Sequence, residues 1–335
     1  MQLSKQALAA RPGRRALSVR ASAVQGKNVF ITGGNTGIGY ETALTLAREG
    51  AKVTIAARDS NKAAKALAQI RAAVPSAQVE SLPLDLADLT SVSDCAKRVA
   101  DSGVAYDVWI NNAGVMATPK MSTAQGFEFQ LGVNHLGHFA LTTAVLPALQ
   151  AANKPVRVIN VASAAHLFGK IDFDDLMRDR SYDSWEAYGQ SKLANIMFTY
   201  EMARRLGPAS PITVNALHPG VVKTELGRYM IEDDKNKSNP IFPIAMEIMR
   251  FFMLEPVEGA ATSLYLATSP EAEGVTGKYW IKSKRAVSSN DSYNREVQER
   301  LWEVSQELTA SALSKARAAA APAAAPAAAS TAVSA

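Results

Sequence analysis

The sequence predicts a single doubly wound α/β domain, with about seven parallel strands and helices on both faces. Three observations predict it. Runs rich in β-branched and aromatic residues alternate with helical stretches of ten or more residues, the pattern of βαβ units. Right-handed crossovers between parallel strands then put helices on both faces. The residues with chemical promise follow the strand ends, where such a sheet binds ligands.

The elements come in order. "NVFITGG" is a first strand ending in glycines, and "GIGYETALTLAREG" a helix stopped by Gly50. "KVTIAAR", "VESLPLDL" and "YDVWINNAG" are strands two to four, separated by the helices "SNKAAKALAQIRAAV" and "TSVSDCAKRVAD". A long helix spans about Gln125 to Leu149, followed by "RVINVAS" as strand five. The helix "SWEAYGQSKLANIMFTYEMARRL" leads to strand six, "ITVNALHPG", and "GKYWI" is a seventh at the edge.

The 335 residues are 47% hydrophobic and 20% charged, as in ordinary globular proteins. One cysteine, Cys95, rules out an intrachain disulfide and a cysteine zinc cage. The formal charge is +5, and residues 1–23 carry Lys5, Arg11, Arg14, Arg15 and Arg20 with no acid. The remainder is neutral, so the charge implies no nucleic-acid partner. That Arg-, Ala- and Ser-rich leader lacks a secretory apolar core and reads as a transit peptide. Chloroplast is the expected location, with mitochondrion as the alternative. Residues 314–335 read as a disordered Ala/Pro tail, because Pro322 and Pro326 break an alanine helix. The folded domain is then 24–313. No run of eighteen apolar residues suggests a membrane span.

"TGGNTGIG" (Thr32–Gly39) joins the first strand to the first helix. Its glycines allow a tight turn, and the helix N-terminus offers N–H groups to a pyrophosphate. Gly33, Asn35, Thr36, Gly37, Ile38 and Gly39 are therefore expected against a dinucleotide. At the end of strand two, where an acid would bind the ribose hydroxyl of NAD, stands Arg58, with Lys62 one turn on. Two cations suit a 2′-phosphate, so NADP(H) is favoured over NAD(H), although Asp59 adjoins the slot. Asp85 and Leu86 follow strand three, and Asn112, Ala113 and Gly114 follow strand four. Tyr188 and Lys192, four apart, share a helix face.

In this order, "TGGNTGIG", "NNAG", "YGQSK" and "HPG" resemble the short-chain dehydrogenase/reductase family over about Lys27 to Ile281. "VNHLGHFALT", "RVINVASAAH", "DSWEAYGQSKLANI" and "VTGKYW" are most similar to its retinol-dehydrogenase-like members and their plastid envelope relatives, as is the 25-residue gap between Ser163 and Tyr188. The resemblance implies a Rossmann-like fold and four catalytic residues. Tyr188 is the acid–base tyrosine, Lys192 its partner, Ser163 the holder of the substrate oxygen, and Asn134 the support of a proton-relay water. It also implies cofactor contacts from Tyr188, Lys192, Pro219, Gly220, Val222 and Thr224. An adjacent ammonium is expected to lower the Tyr188 pKa.

The expected function is NADP(H)-dependent hydride transfer to or from the carbonyl or alcohol of a lipophilic substrate: a retinal-like molecule, aldehyde, ketone or quinone. An NADP(H)-binding regulatory component at a plastid envelope is the alternative. Protochlorophyllide reduction ranks below both, since that subgroup relies on a cysteine near the pigment. The resemblance makes residues 226–255 a substrate lid. Its Met and Phe residues equally suit a core or interface helix, or a lid docking on a membrane surface. A homodimer or tetramer is common in the family. His135, His138, His166 and His218 read as packing or capping rather than metal ligands, and no metal is expected. Asp172, Asp174 and Asp175 read as a solvated loop and cap, and Cys95 as a helix residue.

Overall fold

The computed structural model describes residues 24–222 and 253–320. In chain order the elements are β1 (Asn28–Thr32), α1 (Gly37–Arg48), β2 (Lys52–Ala57), α2 (Ser60–Ala73), β3 (Gln78–Pro83), α3 (Leu89–Asp101) and β4 (Val108–Asn111). Then come α4 (Phe129–Leu131), a π turn (Gly132–Leu136), α5 (Gly137–Ala151), β5 (Val156–Val161), α6 (Ser184–Leu206) and β6 (Ile212–His218). After the interval come α7 (Pro256–Thr268), β7 (Lys278–Ile281), β8 (Lys284–Ala286) and α8 (Arg295–Ala320).

The strands form one sheet in the order β3-β2-β1-β4-β5-β6-β7-β8, parallel through β7. This is the expected doubly wound, Rossmann-like class. Strand alternation sorts the core into two layers. In β1, Val29 and Ile31 pack with Val53, Ile55, Leu46 and Ile70 beneath α1, α2 and α7. Phe30 faces the other way, stacked on Trp109 at 3.8 Å, in the layer under α3, α5, α6 and α8. Burying each such side chain contributes roughly 1.5–3 kcal/mol. The order of strands reverses between β1 and β4, so a crevice opens at their C-terminal ends.

Three boundaries differ from the sequence expectation. An eighth strand, β8, returns antiparallel to β7 through Lys282 and Ser283, both in left-handed backbone at φ 49° and 60°. "KSKR" lacks the Asn or Gly that normally marks such a turn. The long helix begins at Phe129 rather than Gln125, because Gln125 instead donates to Asp88 Oδ1 and accepts from the Leu89 N–H. Glu128 caps the start, accepting from the Gln130 and Leu131 N–H groups. Finally, α8 runs to Ala320, past the expected end at Leu313, as its Ala, Lys and Arg residues favour helix up to Pro322. Arg317 there donates to Ser93 Oγ at 2.8 Å. The leader, the rest of the tail and most of the expected lid lie outside the described residues. Among those described, no helix is long and apolar enough to cross a membrane.

Candidate active site

The crevice at the β1/β4 reversal is lined by Gly33, Asn35, Thr36, Gly37, Ile38 and Gly39 from the first loop, and by Arg58, Asp59 and Lys62 beyond β2. Asp85 and Leu86 after β3 and Asn112, Ala113 and Gly114 after β4 complete that wall, with Val115 and Val133 beside them. Thus twelve residues expected to hold a cofactor from sequence lie on one surface. Gly33 and Gly37 sit at φ 65° and 55°, where glycine is favoured. A Cβ on Gly39 would lie 2.3 Å from the Gly33 carbonyl oxygen, so only glycine lets the helix start this close to the turn. Thr36 makes no side-chain cap on α1, so the first-turn N–H groups are not taken by the N-cap hydroxyl.

Asp59 is occupied elsewhere: its Oδ1 accepts from the Asn61 and Lys62 N–H groups at 2.9 and 3.0 Å, capping α2. Asp85 likewise accepts from the Ala87 N–H at 2.9 Å. Thr32 is the hub of the β1–β4 junction. Its Oγ1 accepts from the N–H groups of Asn112 and Ala113 at 2.9 and 3.0 Å, while Asn112 Nδ2 donates to the Thr32 carbonyl at 2.8 Å. With both acceptances made, the Thr32 hydroxyl proton goes to His138 Nε2 at 2.9 Å. His138 Nδ1 then donates to the Asn134 carbonyl at 3.0 Å. His138 therefore joins the cofactor side of the crevice to Asn134, a link that its sequence position did not signal. Burial holds this imidazole neutral, with a pKa pushed down to about 4.

Asn134 lies in the π turn and is fully buried. Its side chain accepts from the Val115 N–H (2.8 Å) and donates to the Val115 carbonyl and Ser191 Oγ (both 2.9 Å). The amide is thus spent on fixing the loop after β4. Gly114 connects this group to the crevice, since a Cβ there would lie 3.0 Å from Asn134 Oδ1 and 3.5 Å from Lys192 Nζ.

Ser163 follows β5 and accepts from the Ala165 N–H at 3.2 Å, capping a 3-10 turn over Ala164–Leu167. The Tyr188 phenol, in α6, lies beside the Ser163 side chain, which draws its pKa down. Lys192, one turn on, donates from Nζ to the Val161 carbonyl at 3.1 Å and stands 5.7 Å from the Tyr188 ring centre. Ser163, Tyr188, Lys192 and Asn134 are therefore brought together at one end of the crevice.

The expected lowering of the Tyr188 pKa is corrected. Tyr188 is 3% exposed. Burial pushes its phenol up to about 12, with the neighbouring Ser163 side chain pulling the other way, and burial lowers Lys192 to about 8. The ammonium is satisfied by the Val161 carbonyl, and desolvation governs both groups.

Pro219 and Gly220 follow β6, with Gly220 at φ 95°. Val222 bridges to Leu254, and a Cβ on Gly259 would meet both Val222 and Ile38 at 2.7 and 3.1 Å, which places Val222 beside the first loop. Thr224 lies outside the described residues. Among the described residues, no three His, Cys, Asp or Glu side chains gather as a metal site. Cys95 is buried, and burial lifts its thiol to about 11. Asp172 caps its own loop, accepting from the Asp174 and Asp175 N–H groups.

A doubly wound sheet with a glycine-rich first turn and a Ser–Tyr–Lys group beyond it defines an α/β oxidoreductase. The sequence model of the family described as short chain dehydrogenase matches residues 27–235. The chain belongs to the short-chain dehydrogenase/reductase family and is retinol-dehydrogenase-like. The Homo sapiens protein named retinol dehydrogenase 13 is 44% identical over 287 residues, covering 85% of each chain. Retinol dehydrogenase 12 of Mus musculus is 44% identical over 285 residues, 85% of this chain and 87% of its own. Among solved structures, an uncharacterized protein of Mycobacterium paratuberculosis is similar at 36% identity and TM-score 0.67, covering 86% of this chain and 96% of that one. RhlG of Pseudomonas aeruginosa, solved as an NADP active-site complex, is similar at 26% identity and TM-score 0.58, covering 77% and 95%. The chloroplast expectation is corrected by these relatives: they are mammalian proteins, from organisms without plastids.

Proposed function

We propose that the protein is an NADP(H)-dependent oxidoreductase that moves hydride between the nicotinamide and the carbonyl or alcohol carbon of a lipophilic substrate. The observation that carries this is the meeting of Tyr188 with Ser163, and of Lys192 with the Tyr188 ring, at the end of a crevice that fits a dinucleotide. Fit to the cofactor is supported by the close Gly33–Gly39 approach and the α1 N-terminus, which suit a pyrophosphate. Arg58 and Lys62 line the crevice where a 2′-phosphate would lie, while the Asp59 carboxylate is turned into the α2 cap. The similarity to an NADP-bound protein points the same way.

The bound nicotinamide supplies or accepts the hydride. Ser163 donates to the substrate oxygen, where negative charge grows during reduction. Tyr188 delivers its proton to that oxygen, and takes one back in the alcohol-oxidising direction. A phenol raised to about 12 keeps its proton at neutral pH, which suits the reducing direction. Lys192 holds the positive charge next to the ring, anchored by Val161. Asn134 and His138 fix the π turn and the loop that face them.

The lipophilic substrate is supported by what surrounds Tyr188. Trp185 stands edge-on to it at 6.2 Å and is 41% exposed, and Leu167 and Phe168, just after Ser163, are 65% and 56% exposed. Relatives named for retinol agree with an apolar polyene-sized substrate. The test is oxidation of NADPH and NADH across retinal, prenyl and aliphatic aldehydes, quinones and steroids. Wild type should reduce a lipophilic carbonyl with NADPH. Wild type and Tyr188→Phe proving equally inactive on every compound with both cofactors would sink the proposal.

A further inference from the structure

His166 sits three residues after Ser163, and both of its ring nitrogens are committed. Nδ1 donates to the Ser163 carbonyl at 2.6 Å, and the His166 backbone N–H reaches the same oxygen at 3.2 Å. Because Nδ1 carries the proton, Nε2 is the acceptor in a neutral ring, and it accepts the Ser289 backbone N–H at 3.1 Å. The two ends of this bridge are far apart in sequence but meet behind the acid–base pair. The ring is further held edge-on to Tyr279 of β7 at 5.0 Å.

Ser289 is itself fixed. It belongs to a knot of hydroxyls between β8 and α8. Ser288 Oγ bonds Tyr200 Oη at 2.7 Å and Ser292 Oγ at 2.6 Å, and Ser292 Oγ donates to the Ser289 carbonyl. Tyr200 lies on α6, twelve residues after Tyr188, and stacks on Tyr293 at 5.4 Å. Thus α6, which carries Tyr188, anchors the segment 288–293, and that segment anchors His166, which holds Ser163.

We propose that His166 is a positioning residue that ties the Ser163 turn, through the Ser289 N–H, to the segment fastened on the Tyr188 helix, so that the spacing of Ser163 and Tyr188 is set from behind. The inference rests on the reading of Ser163 and Tyr188 given above. It assigns work to a segment beyond β8 that carries no residue of the site. The ring is buried, and burial lowers its pKa, so the neutral form that the tether needs is the one present near neutral pH.

The test uses the full chain. His166→Phe removes both ring bonds. Ser289→Pro deletes the N–H that Nε2 accepts and puts the proline Cδ in its place, so the bridge cannot form, while the Ser289 φ of −59° is close to the angle proline imposes. Ser289→Ala keeps that N–H and serves as the control. His166→Gln restores one donor and one acceptor. The first readout, amide hydrogen exchange over residues 164–169, needs no substrate. Protection there should fall about 10-fold in His166→Phe and in Ser289→Pro. It should fall no further in the double variant, stay unchanged in Ser289→Ala and be partly rescued in His166→Gln.

The second readout is turnover with NADPH. The kcat should fall about 10- to 100-fold in the two tether variants, with little change in the KM for NADPH. Wild-type exchange in Ser289→Pro overturns the tether, as do single-variant effects that simply multiply in the double variant. Altered exchange with unaltered kcat overturns the positioning role. Should His166→Phe fail to fold by circular dichroism, Ser289→Pro and His166→Gln still decide. If wild type turns over no carbonyl at all, the functional reading fails, while the exchange data judge the tether separately.

Discussion

Lys192 holds its ammonium 5.7 Å from the centre of the Tyr188 ring while donating to the Val161 carbonyl. The cation thus lies against the face of the ring, and its hydrogen bond goes to β5 rather than to the phenol. In the proposed mechanism Tyr188 moves the proton beside Ser163, and Lys192 acts on the ring through space. Tyr188→Phe should cut kcat by about 10²–10⁴-fold, the range for a lost general acid. NADPH affinity, followed by fluorescence titration, should stay within a few-fold of wild type.

Lys192 also leaves a mark on stability. Burial lowers its folded pKa to about 8 from the ordinary lysine value of 10.5. Between those values the unfolded chain holds a proton that the native state lacks, so stability climbs as pH rises from 8 towards 10.5. Tyr188 works the other way, but only above its ordinary pKa of 10.0, up to about 12. The Cys95 thiol, raised from 9.0 to about 11, opposes Lys192 likewise above pH 9, so the window from pH 8 to 9 isolates the lysine. Urea unfolding should show a gain of about 1 kcal/mol across it. Lys192→Met should abolish that rise and stabilise the protein at pH 7 by about 1–3 kcal/mol, although it removes activity.

The parts legible in the sequence are those set by local rules. The alternation in "NVFIT" fixes two faces of a strand, and the Gly33–Gly39 turn can be read because only glycine tolerates its geometry. What was not legible depends on partners distant in the chain. His138 looked like packing until Thr32 and Asn134 came to its two nitrogens. The Tyr188 pKa could not be read from its spacing to Lys192, because the burial that outweighs the charge is tertiary. Gln125 is a good helix residue drawn out of its helix by Asp88 and Leu89.

Arg58 tests cofactor choice. The neighbouring Asp59 is spent on the α2 cap, so Arg58 is the residue positioned to discriminate at the strand end. Removing a charge-assisted partner of a phosphate costs about 1.5–3 kcal/mol. Arg58→Ala should therefore raise the KM for NADPH roughly 10- to 100-fold and leave that for NADH nearly unchanged. Equal effects on both cofactors would mean that Arg58 does not read the 2′-phosphate.

Glu128 is the residue whose loss should be felt furthest from its own position. Its carboxylate is 3% exposed, and it takes the Gln130 and Leu131 N–H groups at the start of the helix that carries Asn134. Tyr182 closes over the same group, bonding Gln130 Nε2 at 3.1 Å and the Thr118 carbonyl at 2.9 Å, while Gln130 Nε2 also reaches the Ser184 carbonyl at the head of α6. The helices of Asn134 and Tyr188 are thereby pinned together at their N-termini. Glu128→Ala removes the cap and leaves two buried N–H groups without their acceptor, at a cost of about 2–4 kcal/mol. Glu128→Gln keeps one acceptor oxygen and should recover about half of that. Urea midpoints measure both. Activity should fall with Glu128→Ala even at temperatures where the fold persists, because the π turn that holds Asn134 loses its fixed start.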